Sequence, residues 1–191
     1  MCHPFQRETY QSDINLLFVG VEWERKGGEI AVECVEELNK LDSSHTYHLH
    51  LAGCIPPYEI KSDYVTVYGF LNRNIKEQRE QLDYLRAISD LFILPTKAEC
   101  SGLVFCEASA YSLPIITYDT GGVGDYVING KNGYRLPLEA SGKDFANKII
   151  DILHDKTELE KMQKCARTMY EQDYNWVVFG KRIREIIERI S

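Results

Sequence analysis

Short β-rich apolar runs alternate along this sequence with longer stretches of helical periodicity, and that alternation limits the possible folds. Residues 16–19, 47–52, 64–68, 91–94, 115–118 and 133–136 are predicted strands. Residues 28–41 and 78–89 have apolar positions at helical spacing. Strand–helix–strand order requires crossover connections, so we expect an α/β fold, a Rossmann-like open parallel sheet with helices on both faces. Ligands of such sheets bind at the carboxyl ends of the strands.

Length and charge bound the domain organisation. A chain of 191 residues is expected to form a single domain over residues 16–191, because it can bury one substantial core. Residues 1–15 are polar and weakly patterned, and are predicted to be a linker remnant. The formal net charge of −7 argues against an extended nucleic-acid or anionic-membrane surface.

The cysteines and histidines predict no metal centre. Six cysteines are scattered without a C-x-x-C pair, which favours a reducing, cytoplasmic setting. His48 and His50 alternate onto one face of a predicted strand, but no third ligand is evident. No apolar run approaches the roughly 18 to 20 residues that a membrane span needs.

An apolar stripe marks the C-terminal region, which is predicted to be helical over residues 175–190. Two interpretations are open: the stripe packs on its own domain, or it docks in part on an absent second domain. Its members are Trp176, Phe179, Ile183, Ile186, Ile187 and Ile190.

The segment from residue 91 to residue 137 contains the chemistry. A buried strand ends at Pro95, Glu99 lies in the following loop, and a helix begins after Ser101. The first backbone amides of that helix, near Gly102, Leu103 and Val104, have no intrahelical acceptor. Because a helix N-terminus also carries partial positive charge, we expect these amides to bind a diphosphate.

Glu99 and Glu107 are candidate ligands for hydroxyl groups. Glu107 lies one helical turn beyond Leu103, where its carboxylate is placed to accept hydrogen bonds from a ribose diol. Glu99, at the carboxyl end of a strand, is placed to accept hydrogen bonds from the hydroxyls of a sugar beyond the phosphates. The alternative is that both are ordinary solvated or helix-capping carboxylates.

The two glutamates lie within P-T-x-x-E-x-x-G-L-x-x-x-E-A-x-A-x-x-x-P, with seven residues between them. This element resembles the E-x(7)-E motif of retaining GT-B glycosyltransferases of family 4 (glycosyl transferases group 1). The similarity continues, in the same order, through LLFVGVEWERKGGEIAVECVEEL, HLHLAG, VTVYGFL and TGGVGDYVINGKNGYRLP.

The resemblance implies a two-domain enzyme of which this chain is the C-terminal, donor-binding lobe. The N-terminal acceptor domain is absent from the chain. The implied reaction is hexosyl transfer from a UDP-, GDP- or ADP-linked sugar to a sugar or lipid-linked acceptor, with retention and without a metal or other cofactor. Polysaccharide or glycoconjugate biosynthesis is the expected setting. Any peripheral membrane association is expected through the absent domain, and no nucleic-acid partner is expected.

The resemblance also assigns roles by position. Lys26 matches the phosphate-contacting lysine and Glu99 the glutamate that holds the donor sugar, so these two are the predicted catalytic residues. Glu107 matches the ribose-binding glutamate. The remaining predicted donor-binding residues are Gly20 and Gly53 for close approach, Tyr68, Gly69, Phe70 and Leu71 near the base, and Gly102, Leu103 and Val104 for the phosphates.

One departure concerns the phosphate site. The family often has arginine where Val21 stands, and Arg25 is a candidate replacement. This departure keeps open a non-catalytic nucleotide-binding module derived from a transferase; a GT-B-type epimerase or phosphorylase is a further alternative. Cys100 and Cys106 flank the helix start, but without a matching histidine no nucleophilic role is expected.

Overall fold

The computed structural model describes residues 13–190, and a six-stranded parallel sheet forms its centre. The strands follow the order β3-β2-β1-β4-β5-β6, and every pairing is parallel. The open Rossmann-like sheet and all six predicted strands are therefore confirmed. The strands are β1 (Asp13–Val19), β2 (Thr46–Ala52), β3 (Val65–Gly69), β4 (Leu91–Leu94), β5 (Ile115–Tyr118) and β6 (Gly133–Leu136).

Strand β1 starts at Asp13, three residues before the predicted domain boundary at residue 16, so residues 13–15 belong to the sheet. Residues 1–12, where the rest of the predicted linker falls, lie outside the described part of the chain. Every residue of β4 and of β5 is buried. Their continuous apolar character reflects the position of central parallel strands, which are covered on both faces.

Seven α-helices connect or follow the strands within the described residues. Helices α2 and α3 confirm the predicted helices at residues 28–41 and 78–89, with small shifts at the ends of α3. A 3₁₀ turn (Gly121–Asp125) follows β5, and a π-helical turn (Tyr170–Tyr174) follows α6. The helices are α1 (Trp23–Lys26), α2 (Gly28–Leu41), α3 (Lys76–Ile88), α4 (Leu103–Ala110), α5 (Gly142–His154), α6 (Lys156–Met169) and α7 (Trp176–Ile190).

The strand order reverses direction between β1 and β4, and this reversal creates a crevice. The chain moves one way from β1 to β2 through α2, and the opposite way from β4 to β5 through α4. Because such crossovers are right-handed, α2 and α4 cover opposite faces of the sheet. Helix α2 packs against α5, and α4 packs against α6. The carboxyl ends of β1 and β4 therefore flank the point where ligands of this fold bind.

Helix α7 stands apart from this core. None of its residues is buried, and its apolar stripe is exposed from Trp176 to Ile190. Its packing is confined largely to the preceding π-helical turn. The interpretation that the stripe packs on its own domain is therefore wrong, whereas docking on a second domain stays a prediction. Among residues 13–190, no helix is both long and apolar enough to cross a bilayer.

Candidate functional site

Lys26 and Glu99 meet in the crevice between β1 and β4. The Nζ atom of Lys26, the last residue of α1, donates a short hydrogen bond to Oε2 of Glu99 in the loop after β4. Their side chains are only 10% and 13% exposed. The other carboxylate oxygen of Glu99 accepts a hydrogen bond from the backbone amide of Cys100, at 3.2 Å. The two predicted catalytic side chains therefore form one nearly dry ion pair.

A left-handed glycine brings Lys26 to this position. Gly27 ends α1 with φ +73°, and a Cβ atom there would lie 2.2 Å from the carbonyl oxygen of Pro95. Only glycine therefore allows the end of α1 to lie against the end of β4. The backbone amide of Lys97 donates to the carbonyl of Arg25 at 2.8 Å, which joins the two segments.

A second glycine turn holds the Glu99 loop from the other side. Gly121 has φ +49°, and a Cβ atom there would lie 2.2 Å from the carbonyl oxygen of Glu99. That same carbonyl accepts a hydrogen bond from the amide of Gly122 at 3.2 Å, and Thr120 Oγ1 donates to the carbonyl of Lys97 at 3.1 Å. The backbone of the Glu99 loop is therefore fixed by its neighbours on both sides.

The N-terminus of α4 opens beside this loop. Gly102 precedes the helix, and no side chain caps it. The amides of the first turn, including those of Leu103 and Val104, have no intrahelical acceptors and carry the positive end of the helix dipole. Gly102 is buried, and a Cβ atom there would lie 2.4 Å from the ring of Phe105. The predicted amide donors thus lie together at the start of one helix.

Glu107 is held by two arginines that the sequence analysis did not single out. Arg73 forms a two-pronged contact, with Nη1 to Oε1 at 2.5 Å and Nη2 to Oε2 at 2.6 Å. Arg86 donates to Oε2 at 2.6 Å, also donates to Asp83 at 3.0 Å, and lies over the ring of Tyr111. The hydrogen bond with Glu107 raises the pKa of Arg73. Glu107 is therefore a paired carboxylate, not a solvated one.

The segment after β3 presents one exposed aromatic side chain. Phe70 is 64% exposed, and Leu71 is partly buried against the core. By contrast, the hydroxyl of Tyr68 lies 3.1 Å from Nδ1 of His50. Tyr68 thus bonds to a side chain of the neighbouring strand. Among the residues predicted to lie near the nucleotide base, Phe70 is the most exposed.

Gly20 and Gly53 have packing reasons of their own. A Cβ atom at Gly53, which has φ +101°, would lie 2.6 Å from the carbonyl oxygen of Gly20, and the Gly53 amide donates to the carbonyl of Gly69 at 2.8 Å. A Cβ atom at Gly20 would lie 2.9 Å from Cγ of Lys26. These glycines let the strand ends and the lysine stem pack closely; a close approach of the donor to them stays a prediction.

Arg25 is engaged by other groups of the protein. Its guanidinium binds the Glu22 carboxylate at 2.6 and 2.9 Å, and Nη1 donates to the carbonyl of Ala98 at 2.8 Å. The hydrogen bond with Glu22 raises the pKa of Arg25. Val21 is exposed. Arg25 therefore braces the residue before Glu99, and its charge faces that of Glu22.

The described residues contain no group of three or more histidine, cysteine, aspartate or glutamate side chains placed to hold a metal ion. His50, besides its contact with Tyr68, lies 3.0 Å from the side-chain oxygen of Asn15. Burial raises the pKa of the Cys106 thiol to about 11, which leaves it protonated near neutral pH and disfavours a nucleophilic role.

Comparisons with a family model and with curated proteins show which proteins this chain resembles. A family model described as Glycosyl transferases group 1 matches residues 3–169. Spore coat protein SA of Bacillus subtilis (strain 168) is 27% identical over 178 residues, which are 93% of this chain and 41% of that protein. A glycogen synthase of Mycobacterium tuberculosis is 33% identical over 183 residues, covering 91% and 42%. The chain thus spans about two fifths of the length of these relatives.

Solved structures share the fold. HepE of Anabaena, in complex with UDP and glucose, has a TM-score of 0.72 at 19% identity, covering 93% of this chain and 48% of that one. WaaG, a glycosyltransferase involved in lipopolysaccharide biosynthesis, has a TM-score of 0.71 at 22% identity, covering 86% and 45%. The fold is that of a GT-B glycosyltransferase domain. The chain belongs to the glycosyl transferases group 1 family.

Proposed function

We propose that this chain is the donor-binding lobe of a retaining, family 4 glycosyltransferase, which transfers a hexosyl group from a nucleoside-diphosphate sugar to an acceptor hydroxyl. One observation carries the proposal: the Lys26–Glu99 pair lies beside the uncapped start of α4, with Glu107 one turn further along. A diphosphate, a sugar and a ribose thus each have a chemically suitable partner in one crevice.

The proposed contribution of this lobe to the reaction is electrostatic. When the bond between the anomeric carbon and the diphosphate breaks, negative charge grows on the leaving oxygen. Fixed backbone amides at the start of α4, together with the Lys26 ammonium, are already oriented toward that charge, so little reorganisation is needed. As Lys26 shares its charge with the phosphates, Glu99 is freed to accept hydrogen bonds from the hydroxyls of the donor sugar.

The similar proteins guide the choice of substrates. HepE is described in complex with UDP-glucose, which supports a uridine donor as the first candidate, ahead of GDP- and ADP-sugars. The relatives include a lipopolysaccharide N-acetylglucosaminetransferase of Salmonella typhimurium, which supports a polysaccharide or lipid-linked acceptor. We assign the acceptor site and any membrane contact to a partner domain outside this chain. The proposed cellular location is the cytoplasm.

The first test is a thermal-shift panel with UDP, GDP, ADP and their sugar conjugates. A ligand present at about 100 times its Kd adds roughly 2.7 kcal/mol to the free energy of unfolding, so one base is expected to stand out. Glu107→Gln is expected to weaken the binding of that nucleotide by about 1.5 to 3 kcal/mol, because a hydrogen bond to a charged group is lost.

Glu80→Gln provides the matched control, since Glu80 is an exposed glutamate on α3 that pairs only loosely with Lys76, at 3.7 Å. This variant is expected to bind like the wild type. If no nucleotide shifts the transition at millimolar concentration, the donor-binding proposal is rejected for this chain.

A second candidate, a non-catalytic nucleotide-binding module, is favoured by the environment of Arg25. With Val21 exposed and Arg25 paired to Glu22, the phosphate site has one fixed cation fewer than the family pattern implies. The test uses a full-length protein that contains this chain. Donor binding without sugar transfer and without donor hydrolysis would favour this candidate. No feature of the described residues favours an epimerase or a phosphorylase.

A further inference from the structure

We infer that Arg73 is a mobile cation of the donor site, which leaves Glu107 when the ribose binds and then contacts the diphosphate. The inference rests on the proposed function and adds a binding residue to it. Arg73 forms a three-residue cluster with Glu107 and Arg86 at the carboxyl edge of the sheet, and it is the more exposed of the two arginines.

The two arginines of this cluster are unequal. The side chain of Arg86 is 8% exposed and is fixed by Asp83 and Tyr111, whereas that of Arg73 is 53% exposed. Oxygen Oε2 of Glu107 accepts from both arginines, but Oε1 accepts from Arg73 alone. Ribose hydroxyls can therefore replace Arg73 while the carboxylate stays paired with Arg86.

The ion pairs of the site are already matched in charge, so a bound diphosphate would favour the release of a cation from one of them. Within these ion pairs, four basic side chains are matched by four carboxylates, and a diphosphate brings at least two more negative charges. Among the four basic side chains, Arg73 is the most exposed. The groups counted are Arg25, Lys26, Arg73 and Arg86 against Glu22, Asp83, Glu99 and Glu107.

The residue that Arg73 contacts lies close to the proposed diphosphate position. Glu107 lies four residues after Leu103, which corresponds to about 6 Å along the helix axis at the usual helical rise. Arg73 therefore contacts a residue about one turn beyond the first amides of α4. Its planar fork matches a phosphate group as well as it matches a carboxylate.

The backbone around Arg73 is braced, so the movement involves the side chain. The amide of Asn72 donates to the side chain of Gln78 at 2.6 Å, and the amide of Asn74 donates to the side chain of Asn72 at 3.0 Å. The carbonyl of Arg73 itself accepts from Arg79 at 3.3 Å. Binding therefore requires a rotamer change and no remodelling of the loop.

Arg73→Gln is the test, with Lys76→Gln as the control that removes one positive charge three residues away. Kd values are measured by calorimetry on the full chain, for the nucleoside diphosphate selected in the thermal-shift panel, for its nucleoside and for inorganic pyrophosphate. In Arg73→Gln, the diphosphate and pyrophosphate are expected to bind at least 10-fold more weakly. The nucleoside is expected to bind equally well or more tightly, because its competitor for Glu107 is gone.

An equal loss for nucleoside and diphosphate, or no loss for either, would overturn the role of Arg73 while leaving the donor site in place. The same loss in Lys76→Gln would also overturn it, because the effect would then reflect only general surface charge. If the wild-type chain binds none of the probes at millimolar concentration, the proposed function and this inference fail together.

Discussion

Glu99 and Glu107 belong to one motif and each carboxylate pairs with a basic side chain, yet their surroundings differ. Glu99 shares a nearly dry ion pair with one basic side chain, Lys26, whereas Glu107 shares a partly wet contact with one buried and one exposed arginine. Breaking a desolvated pair leaves an uncompensated buried charge, but exchanging an exposed partner costs little. The Glu99 end of the site is therefore stiff, and the Glu107 end is exchangeable.

The largest expected effect concerns stability. Lys26→Ala should lower the free energy of unfolding by about 3 kcal/mol, because the enclosed Glu99 carboxylate loses its counter-charge. Arg73→Ala should lower it by less than about 1 kcal/mol, since Arg86 still pairs with Glu107. Urea unfolding of both variants measures the difference, and equal losses would contradict the contrast between the two carboxylates.

Arg86→Gln should have the next largest effect, a loss of about 2 kcal/mol, because Asp83 and Glu107 both lose a buried partner. The variant should also weaken nucleoside binding, since the anchored side of Glu107 is no longer fixed. Urea unfolding and calorimetry on the same preparation measure the two effects. A free energy of unfolding within about 0.5 kcal/mol of the wild-type value would show that Arg86 is not an anchor.

The reactivity of two cysteines, one beside each glutamate, tests the same difference in solvent exposure. Cys100, beside Glu99, is exposed, whereas Cys106, beside Glu107, is partly buried with its pKa raised to about 11. Near pH 8 the Cys106 thiol stays protonated, so iodoacetamide should modify Cys100 at least about 10-fold faster. The rate of modification at Cys106 should rise as the pH approaches 11. Peptide mass spectrometry follows each site, and the urea-unfolded chain, in which the rates should converge, is the control.

The smallest effect is the response to salt. Double-mutant cycles give the coupling free energy of each ion pair, and raising sodium chloride from about 0.05 to 0.5 M should weaken the exposed Arg73–Glu107 pair by about 0.3 kcal/mol. The Lys26–Glu99 pair should change less, because it is shielded from the solvent ions. A larger change at Lys26–Glu99 would mean that this pair is wetter than its burial indicates.

The fold was predictable to the level of single strands, because buried parallel strands are continuous apolar runs bounded by turn residues. Helices α5 and α6 were not predicted, although Ser141 and Asp144 form a capping box at the start of α5 that the sequence displays. The apolar stripe of α7 was recognised, but periodicity alone does not say which surface covers a helix. Its exposure required the three-dimensional arrangement.

The site was predictable in part. Lys26 and Glu99 lie far apart in sequence, and the structure brings them into direct contact, as their shared assignment to one ligand implies. Arg73 and Arg86 were missed because their importance arises from a contact with α4 that no local pattern records. One signal was available: Arg73 follows the carboxyl end of a predicted strand, the edge where ligands of this fold gather.

The two glycine turns that clasp the Glu99 loop have a consequence for protein engineering. Any side chain at position 27 or 121 would displace the backbone of the loop that carries Glu99, so diversity there should yield unfolded or inactive clones. Val21, Ile55, Phe70 and Leu103 are exposed apolar side chains near the strand ends and the start of α4. A library that randomises these four positions and keeps the two glycines would test the proposed donor preference, and its members would keep the backbone of the Glu99 loop.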